Sequence, residues 1–252
     1  NGPIWEIIAM KTGTAETGRY NFYEKPSGGY PSDYNSFGKM LDNILNREIT
    51  QSNGTKGGWA LYNNYPDIDI TGMALQALAP YYLEPELFET TGATKSYEEL
   101  QEAVERGVYI LSEMQEKNGG YDSWGSVNCE SIVQVIVALT ALDIDPKAEE
   151  VNLPTIGKTC SFMKEGSTVD GVFSDNMIDA LLSFWAPGSG SSPEVGGFKH
   201  VTFGYDGGSG SGSGVNAMAT DQAVYGLIAY ERWLQGQTSL YDMRDSDTNN
   251  YI

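Results

Sequence analysis

The fold is decided by the stretch PDIDITGMALQAL, residues 66–78. Two carboxylates, Asp67 and Asp69, precede a run of small and medium-sized apolar side chains. A helix that is apolar almost all round is buried on most sides. A turn of two glycines and an aromatic residue comes shortly before it, at 57–59. The stretch therefore predicts a turn followed by a buried helix that begins near Asp69.

The same construction returns twice along the chain. Two glycines and an aromatic residue recur at 119–121 and at 196–198, ahead of helices predicted over 131–142 and 216–233. When the three helices are superposed, Met73, Gln134 and Gln222 fall at one position. A single unit of this kind cannot bury its own apolar stripe, so neighbouring units must stack. The repetition predicts a helical repeat array.

The remaining segments alternate between apolar and amphipathic. Residues 132–139 carry no charge and have strand-forming side chains, but the alanine-containing continuation to 142 and the likeness to 71–79 favour a helix. Residues 97–117 are amphipathic, with Ser96 and Glu99 spaced as a capping box. The alternation predicts an all-α chain. Its inner helices should begin near Ile4, Asp69, Ser131 and Asn216, and its outer helices near Ser36, Tyr97 and Ser174.

A family resemblance rests on these turns. The segment QEKNGGY, residues 115–121, resembles the Gln-x-x-x-Gly-x-aromatic repeat of terpenoid cyclases and protein prenyltransferases, and residues 53–59 form a looser copy. Segments 57–82 and 215–243 are similar to the modules of secreted bacterial proteins with prenyltransferase-type repeats, and more distantly to the alpha domain of cobalamin carriers. The resemblance implies an α/α toroid of helical hairpins over residues 1–240, with a linker or tail at 241–252.

The resemblance also implies that the ring is incomplete. A closed toroid of that family has more helices than this chain provides, so the missing helices are expected to precede Asn1. An open edge would then leave apolar surface around Trp5, Ile7 and Ile8. The expected partners include those missing helices or further domains, because large exposed apolar patches are rare on monomers.

Charge and composition limit the function classes. The formal net charge of −19 argues against binding to nucleic acid or anionic membranes. No apolar run is long enough for a membrane span. The acidic balance, together with the resemblance, predicts a bacterial protein at an extracellular or cell-surface location. Cys129 and Cys160 are too few for a disulfide framework and show no metal-ligand spacing with histidine, so free thiols, no metal and no cofactor are predicted.

Asp67 and Asp69 support three interpretations: a proton donor, a contact to a ligand or metal, and a helix cap. Terpenoid cyclases that protonate their substrate carry an Asp-x-Asp-Asp-Thr-Ala motif at the start of an inner helix, and the resemblance implies that Asp69 would be the proton donor. Ile70 replaces the second central aspartate of that motif, which removes part of the arrangement that makes the donor acidic. The favoured alternative is that Asp67 or Asp69 caps the helix by accepting its free N–H groups.

Aromatic side chains near the turns are candidates for ligand binding. Such residues hold apolar or ring-bearing ligands by stacking and by burial of surface area. The alternative, favoured for Trp59, is that the turn aromatics pack one repeat on the next. His200, the only histidine, could contact a ligand or, by the cobalamin-carrier resemblance, a cobalt. The predicted ligand-binding residues are Trp59, Tyr62, Tyr65, Trp124, His200 and Tyr225.

Two function classes remain. The favoured one is a non-catalytic ligand-binding or interaction module of an exported bacterial protein, with an aromatic-rimmed central cavity for a small apolar or ring-bearing ligand. A cobalamin-type ligand is a sub-case of it. The alternative is a terpenoid-cyclase-like or prenyltransferase-like enzyme that uses Asp69 as an acid. The missing aspartate at position 70 and the absence of the Asp-x-Cys zinc motif favour the binding module.

Overall fold

The computed structural model describes residues 1–12, 35–169, 171–187, 196–202, 214–242 and 245. The helices in these ranges are α1 (Gly2–Lys11), α2 (Phe37–Asn46), α3 (Ile68–Leu83), α4 (Pro85–Thr90), α5 (Tyr97–Met114), α6 (Cys129–Ala141), α7 (Met177–Leu182) and α8 (Ala217–Leu234). The strands are β1 (Asp122–Ser123), β2 (Ser126–Val127), β3 (Val151–Leu153), β4 (Lys158–Cys160), β5 (Ser167–Val169), β6 (Val172–Ser174), β7 (Trp185–Ala186) and β8 (Gly197–Phe198).

The strands correct the predicted fold class. The chain is mixed α and β, so the prediction of an all-α, α/α-toroid chain is wrong. The strands form four antiparallel two-stranded sheets: β1 with β2, β3 with β4, β5 with β6, and β7 with β8. Each strand has only two or three residues, too few to show the alternation by which a half-buried strand is recognised in a sequence. The helix predicted near Ser174 is present but begins at Met177, because Ser174 ends β6.

Three predicted inner helices form the centre of the molecule. Helix α6 packs against α3 on one side and against α8 on the other, and α5 packs on α3. Two glycines allow the helices to approach closely. A Cβ on Gly72 would lie only 2.9 Å from the main-chain oxygen of Gln134, and one on Gly226 would lie 2.9 Å from the Val133 side chain, so a larger residue would clash at either position. Residues 129–140 of α6 are all buried, which confirms the interpretation of 132–139 as a buried helix.

The predicted helix starts agree with the structure where a side-chain cap defines them. Ser96 Oγ accepts the N–H of Glu99 at 3.1 Å, and Glu99 Oε2 accepts the N–H of Ser96 at 2.8 Å, so the predicted capping box is confirmed. Ser36 caps α2 in the predicted place. Helix α1 packs on α2 and α3, which buries Ile7 and Ile8 and leaves Trp5 39% exposed. The prediction of an exposed apolar edge is therefore wrong for Ile7 and Ile8.

The glycine–aromatic turns fasten the inner helices to the core. Trp59, Tyr121 and Phe198 are all buried. Thr71 Oγ1 accepts the main-chain N–H of Trp59 at 2.9 Å, and Thr220 Oγ1 accepts that of Phe198 at 2.9 Å. Each threonine lies in the first turn of its helix, so the same bond is made in the first and third repeats. Packing of these aromatics supports the start of each helix and thereby positions the side chains of its first turns.

Three further predictions can be placed. Cys129 and Cys160 are buried free thiols. Within the described ranges, no helix has the length and apolar character needed to cross a bilayer, in agreement with the sequence. Of the predicted tail at 241–252, Tyr241 packs against the core, whereas 243, 244 and 246–252 lie outside the described residues.

Candidate functional site

A cleft of about 350 Å³ opens where α3, α6 and α8 begin. The rest of its wall comes from the turn between β1 and β2 and from His200, which lies shortly after β8. Its lining combines carboxylates, amides and a histidine with a tryptophan ring and two thioethers. The lining residues are Asp69, Met73, Ser123, Trp124, Asn128, Glu130, Gln134, His200, Met218 and Gln222.

The three helices contribute to the cleft in one register. Each has a side-chain N-cap that accepts an N–H three residues on; these caps are Asp67, Asn128 and Asn216. The residues two positions after the caps line the cleft; they are Asp69, Glu130 and Met218. The residues six positions after the caps also line it; they are Met73, Gln134 and Gln222. The superposition predicted from the repeat is therefore confirmed, and the repeat itself builds the site.

The two aspartates at the start of α3 have different roles. Asp67 Oδ1 accepts the N–H of Ile70 at 2.9 Å, so Asp67 is the cap. Asp69 lies two residues further, inside the helix, with its carboxyl in the cleft. Its Oδ1 is buried and has no hydrogen-bond partner among the described residues. The capping interpretation is confirmed for Asp67 and is wrong for Asp69, whose carboxyl is directed at the cleft.

The environment of Asp69 disfavours its charged form. Burial raises the pKa of Asp69 to about 6, and the neighbouring carboxylates of Asp67 and Glu130 act in the same direction. The nearby Ser131 hydroxyl, although its Oγ makes no hydrogen bond of normal geometry, and His200 lower the pKa, but by less than burial raises it. A capping carboxylate would have the opposite shift, because N–H bonds stabilise the anion. Asp69 can therefore gain or lose a proton close to neutral pH.

A second carboxyl in the cleft is paired with the histidine. Glu130 Oε2 lies 2.6 Å from His200 Nδ1, and both residues are 7% exposed. The main-chain oxygen of His200 also accepts the N–H of Cys129 at 3.0 Å, so this segment is attached to the start of α6 by both backbone and side chain. His200 was predicted from the sequence as a ligand-binding residue, and Glu130 was missed.

Trp124 forms the exposed aromatic part of the wall. It lies in the turn between β1 and β2, with φ of 63°, followed by Gly125 with φ of 91°. A bulky side chain in the left-handed region is strained, and such strain concentrates at functional sites. Asp122 Oδ1 accepts the N–H of Gly125 at 2.9 Å, which holds the turn. The Trp124 side chain is 86% exposed, so its ring is available to a ligand.

The other predicted aromatics lie elsewhere. Trp59 is in the core, where Nε1 donates to the main-chain oxygen of Ile44 at 2.7 Å. Tyr62 and Tyr65 are 96% and 60% exposed and do not line the cleft. Tyr225 is half-buried behind the wall, and its hydroxyl accepts from Gln134 Nε2 at 2.7 Å. Of the predicted site residues, the structure brings together Asp69, Trp124 and His200.

Sequence reasoning missed the residues that α6 and α8 contribute. Glu130 and Met218 follow their caps at the same distance as Asp69, and Gln134 and Gln222 correspond to Met73. That register was the signal that could have found them. Among the described residues, no group of three or more His, Cys, Asp or Glu side chains is placed to hold a metal ion. No protein-family model and no curated protein matches this chain.

Proposed function

We propose that the protein is a non-catalytic binding module whose cleft takes a small ring-bearing molecule. One observation carries the proposal: an exposed tryptophan ring, held on a backbone with positive φ, and a buried carboxyl oxygen without a partner border the same opening. The Trp124 ring offers a face on which a ligand ring can stack. Asp69 Oδ1 lacks a hydrogen-bond donor among the described residues, and a ligand group can supply one.

The size and chemistry of the cleft narrow the ligand. About 350 Å³ is near the lower end of the range for small-molecule sites, which favours one or two rings over a cobalamin-type macrocycle. Most of the lining surface is apolar, but Asp69, Glu130, Gln134 and Gln222 place polar groups in it. Burying these groups against a wholly apolar ligand would be costly, so a ring with polar substituents fits better.

The setting of the module is part of the same proposal. The Gln-x-x-x-Gly-x-aromatic motif at 115–121 supports a relationship to proteins with prenyltransferase-type repeats. The strongly acidic composition supports an extracellular or cell-surface location in a bacterium. Fractionation of the source cells, with the chain detected by an antibody, tests the location. Recovery of the chain only from the cytosol would contradict it.

Calorimetric titration tests the binding proposal. The probes are uncharged, cationic and anionic six-membered rings: methyl pyranosides, cyclohexylammonium and cyclohexanecarboxylate. At least one should bind the wild-type protein, and Trp124→Ala should weaken it about three- to tenfold, the value of one aromatic stacking contact. Tyr62→Ala is the control, because Tyr62 is an exposed aromatic outside the cleft. Absence of binding by every probe, or equal losses in both variants, would contradict the proposal.

The raised pKa of Asp69 favours a second candidate function. The alternative is a terpenoid-cyclase-like or prenyltransferase-like enzyme in which Asp69 donates a proton, as its pKa of about 6 in a cleft allows. Such an enzyme should turn over linear polyprenyl substrates, with kcat falling as the pH rises above about 6. Asp69→Asn should abolish the turnover. If the wild-type protein shows no turnover at any pH, the enzyme alternative is rejected and the binding module remains the proposed function.

A further inference from the structure

A row of three glutamine side chains crosses the three central helices and reaches the cleft. Gln76 of α3 is 6% exposed, Gln134 of α6 is 4% exposed, and Gln222 of α8 lies at the cleft wall. Gln76 Nε2 lies 3.1 Å from Gln134 Oε1, and Gln134 Nε2 lies 3.2 Å from Gln222 Oε1. The amides are therefore linked head to tail from the core to the cleft.

The direction of this row is fixed by a backbone group. Gln76 Nε2 also lies 3.2 Å from the main-chain oxygen of Gln134. A carbonyl oxygen can only accept, so the atom of Gln76 that faces α6 must be the nitrogen. The side-chain oxygen of Gln134 then accepts from that nitrogen. Consequently the Gln134 nitrogen is directed away from α3, toward α8.

The same direction continues to Gln222. Gln134 Nε2 donates to Tyr225 OH at 2.7 Å as well as to Gln222 Oε1. The Tyr225 hydroxyl in turn donates to Gln222 Oε1 at 3.2 Å. The Gln222 oxygen thus accepts two hydrogen bonds, and its NH2 group makes none with the described residues. The amide of Gln222 cannot turn over without breaking both bonds.

We infer that the Gln76–Gln134 row holds the Gln222 NH2 group toward the cleft as a hydrogen-bond donor, and that the ligand is an uncharged ring bearing hydroxyl groups, such as a sugar. This inference rests on the proposed function. A hydroxyl group can both accept and donate hydrogen bonds. The hydroxyl groups of such a ring would therefore accept from the Gln222 NH2 group and donate to the Asp69 carboxylate. Gln76, which does not line the cleft, is a positioning residue.

The lining also disfavours charged ligands. An anionic ring would meet Asp69 and Glu130, and the lining residues that the structure describes include no lysine or arginine to offset them. A cationic ring would pair with Asp69, but an ammonium group has no acceptor and would leave the NH2 group of Gln222 without a partner. An uncharged hydroxylated ring avoids both conflicts and keeps the stacking contact with Trp124.

Nuclear magnetic resonance of ¹⁵N-labelled protein tests this assignment. Methyl pyranosides of glucose, galactose, mannose and xylose are titrated, with cyclohexylammonium and cyclohexanecarboxylate as charged comparisons. At least one pyranoside should shift the Gln222 side-chain NH2 signals, and the charged rings should bind about tenfold more weakly or not at all. A charged ring that binds as tightly as the best pyranoside would overturn the ligand class and leave the binding module intact. No response to any ring would count against the proposed function itself.

The positioning role of Gln76 has its own variant. Gln76→Met removes the donor that orients Gln134, so it should move the Gln134 and Gln222 side-chain amide signals of the free protein. It should also weaken the pyranoside about five- to tenfold, the loss expected for one hydrogen bond. Gln237→Met is the matched control, because Gln237 is exposed beyond the far end of α8.

A second variant covers the case in which Gln76→Met does not fold. Gln222→Met removes the donor at the cleft wall, while the Gln134 amide keeps its bond to Tyr225. This variant should weaken the pyranoside at least as much. Unchanged pyranoside affinity in Gln222→Met would overturn the donor role of Gln222. Unchanged amide signals and affinity in a folded Gln76→Met would overturn the positioning role.

Discussion

Glu130 Oε2 lies 2.6 Å from His200 Nδ1 and joins the second residue of α6 to a segment 70 positions further along the chain. Both side chains are buried and both line the cleft. A buried carboxyl group without such a partner would be costly, so the pair stabilises the wall that it forms. The stability of the fold and the shape of the site are therefore coupled at this contact.

The first prediction concerns this pair. Glu130→Ala removes the acceptor and should lower the free energy of unfolding by about 1.5–3 kcal/mol, the value of a hydrogen bond to a charged group. Glu130→Gln should cost less, because its amide oxygen can still accept from the ring N–H. Urea unfolding of both variants at pH 7 measures the difference. Equal stability of the alanine and glutamine variants would contradict the role of this bond.

The second prediction uses the raised pKa of Asp69. Because that pKa rises from 3.8 to about 6 on folding, the folded protein binds more protons between these values, and its stability should fall as the pH rises through them. The full loss has an upper limit of about 3 kcal/mol. Asp69→Asn removes this loss, so the variant should be more stable than wild type at pH 7 and similar to it near pH 3.5.

Urea unfolding of wild type and Asp69→Asn across pH 3.5 to 7 tests the sign. Asp67→Asn is the control, because Asp67 is exposed to solvent in part and its cap bond survives the change. A wild-type protein that gains stability relative to Asp69→Asn as the pH rises would show that the carboxylate of Asp69 is stabilised, contrary to its position in the structure.

The third prediction separates the cap from its neighbour. Asp67→Ala should cost about 0.5–2 kcal/mol, since it removes the acceptor of the Ile70 N–H at the start of α3. Asp67→Asn should cost little, because asparagine caps about as well. Thermal melts of the two variants provide the comparison. If alanine is tolerated as well as asparagine, the cap bond contributes nothing to α3.

These cap positions are also where the sequence was most informative. Ser96 and Asp67 each precede an amphipathic or apolar run, and capping depends on residues only three positions apart. Local chemistry of this kind can be read from a single sequence. The register of Met73, Gln134 and Gln222 was predicted for the same reason, because the repeat displays it directly.

The strands and the second half of the site were not predictable in this way. The pair β5 and β6 has three residues a strand, and its position beside α7 depends on contacts with other parts of the chain. The pairing of Glu130 with His200 and the exposure of Trp124 arise only when the β1–β2 turn and the segment after β8 meet the start of α6. Such distant contacts leave no periodic signal in the sequence.

The fourth prediction concerns strain at Trp124. Asparagine tolerates the left-handed region that Trp124 occupies at φ of 63°, so Trp124→Asn should raise the free energy of unfolding by about 0.5–1 kcal/mol. Little burial is lost, since the side chain is 86% exposed. Tyr62→Asn, at an exposed position without positive φ, should bring no gain. A Trp124→Asn variant less stable than wild type would mean that the ring contributes more packing than strain.

The central claim, that a ring-bearing ligand binds in the cleft, is tested most directly by the indole N–H signals of two tryptophans in one spectrum. Trp124 borders the cleft, whereas the Trp59 indole is buried and bonded to Ile44. During titration with the methyl pyranosides and the charged rings, the Trp124 signal should shift with saturation for at least one ring while the Trp59 signal stays fixed. A Trp124 signal that no ring moves, or one that moves only together with Trp59, would contradict the claim.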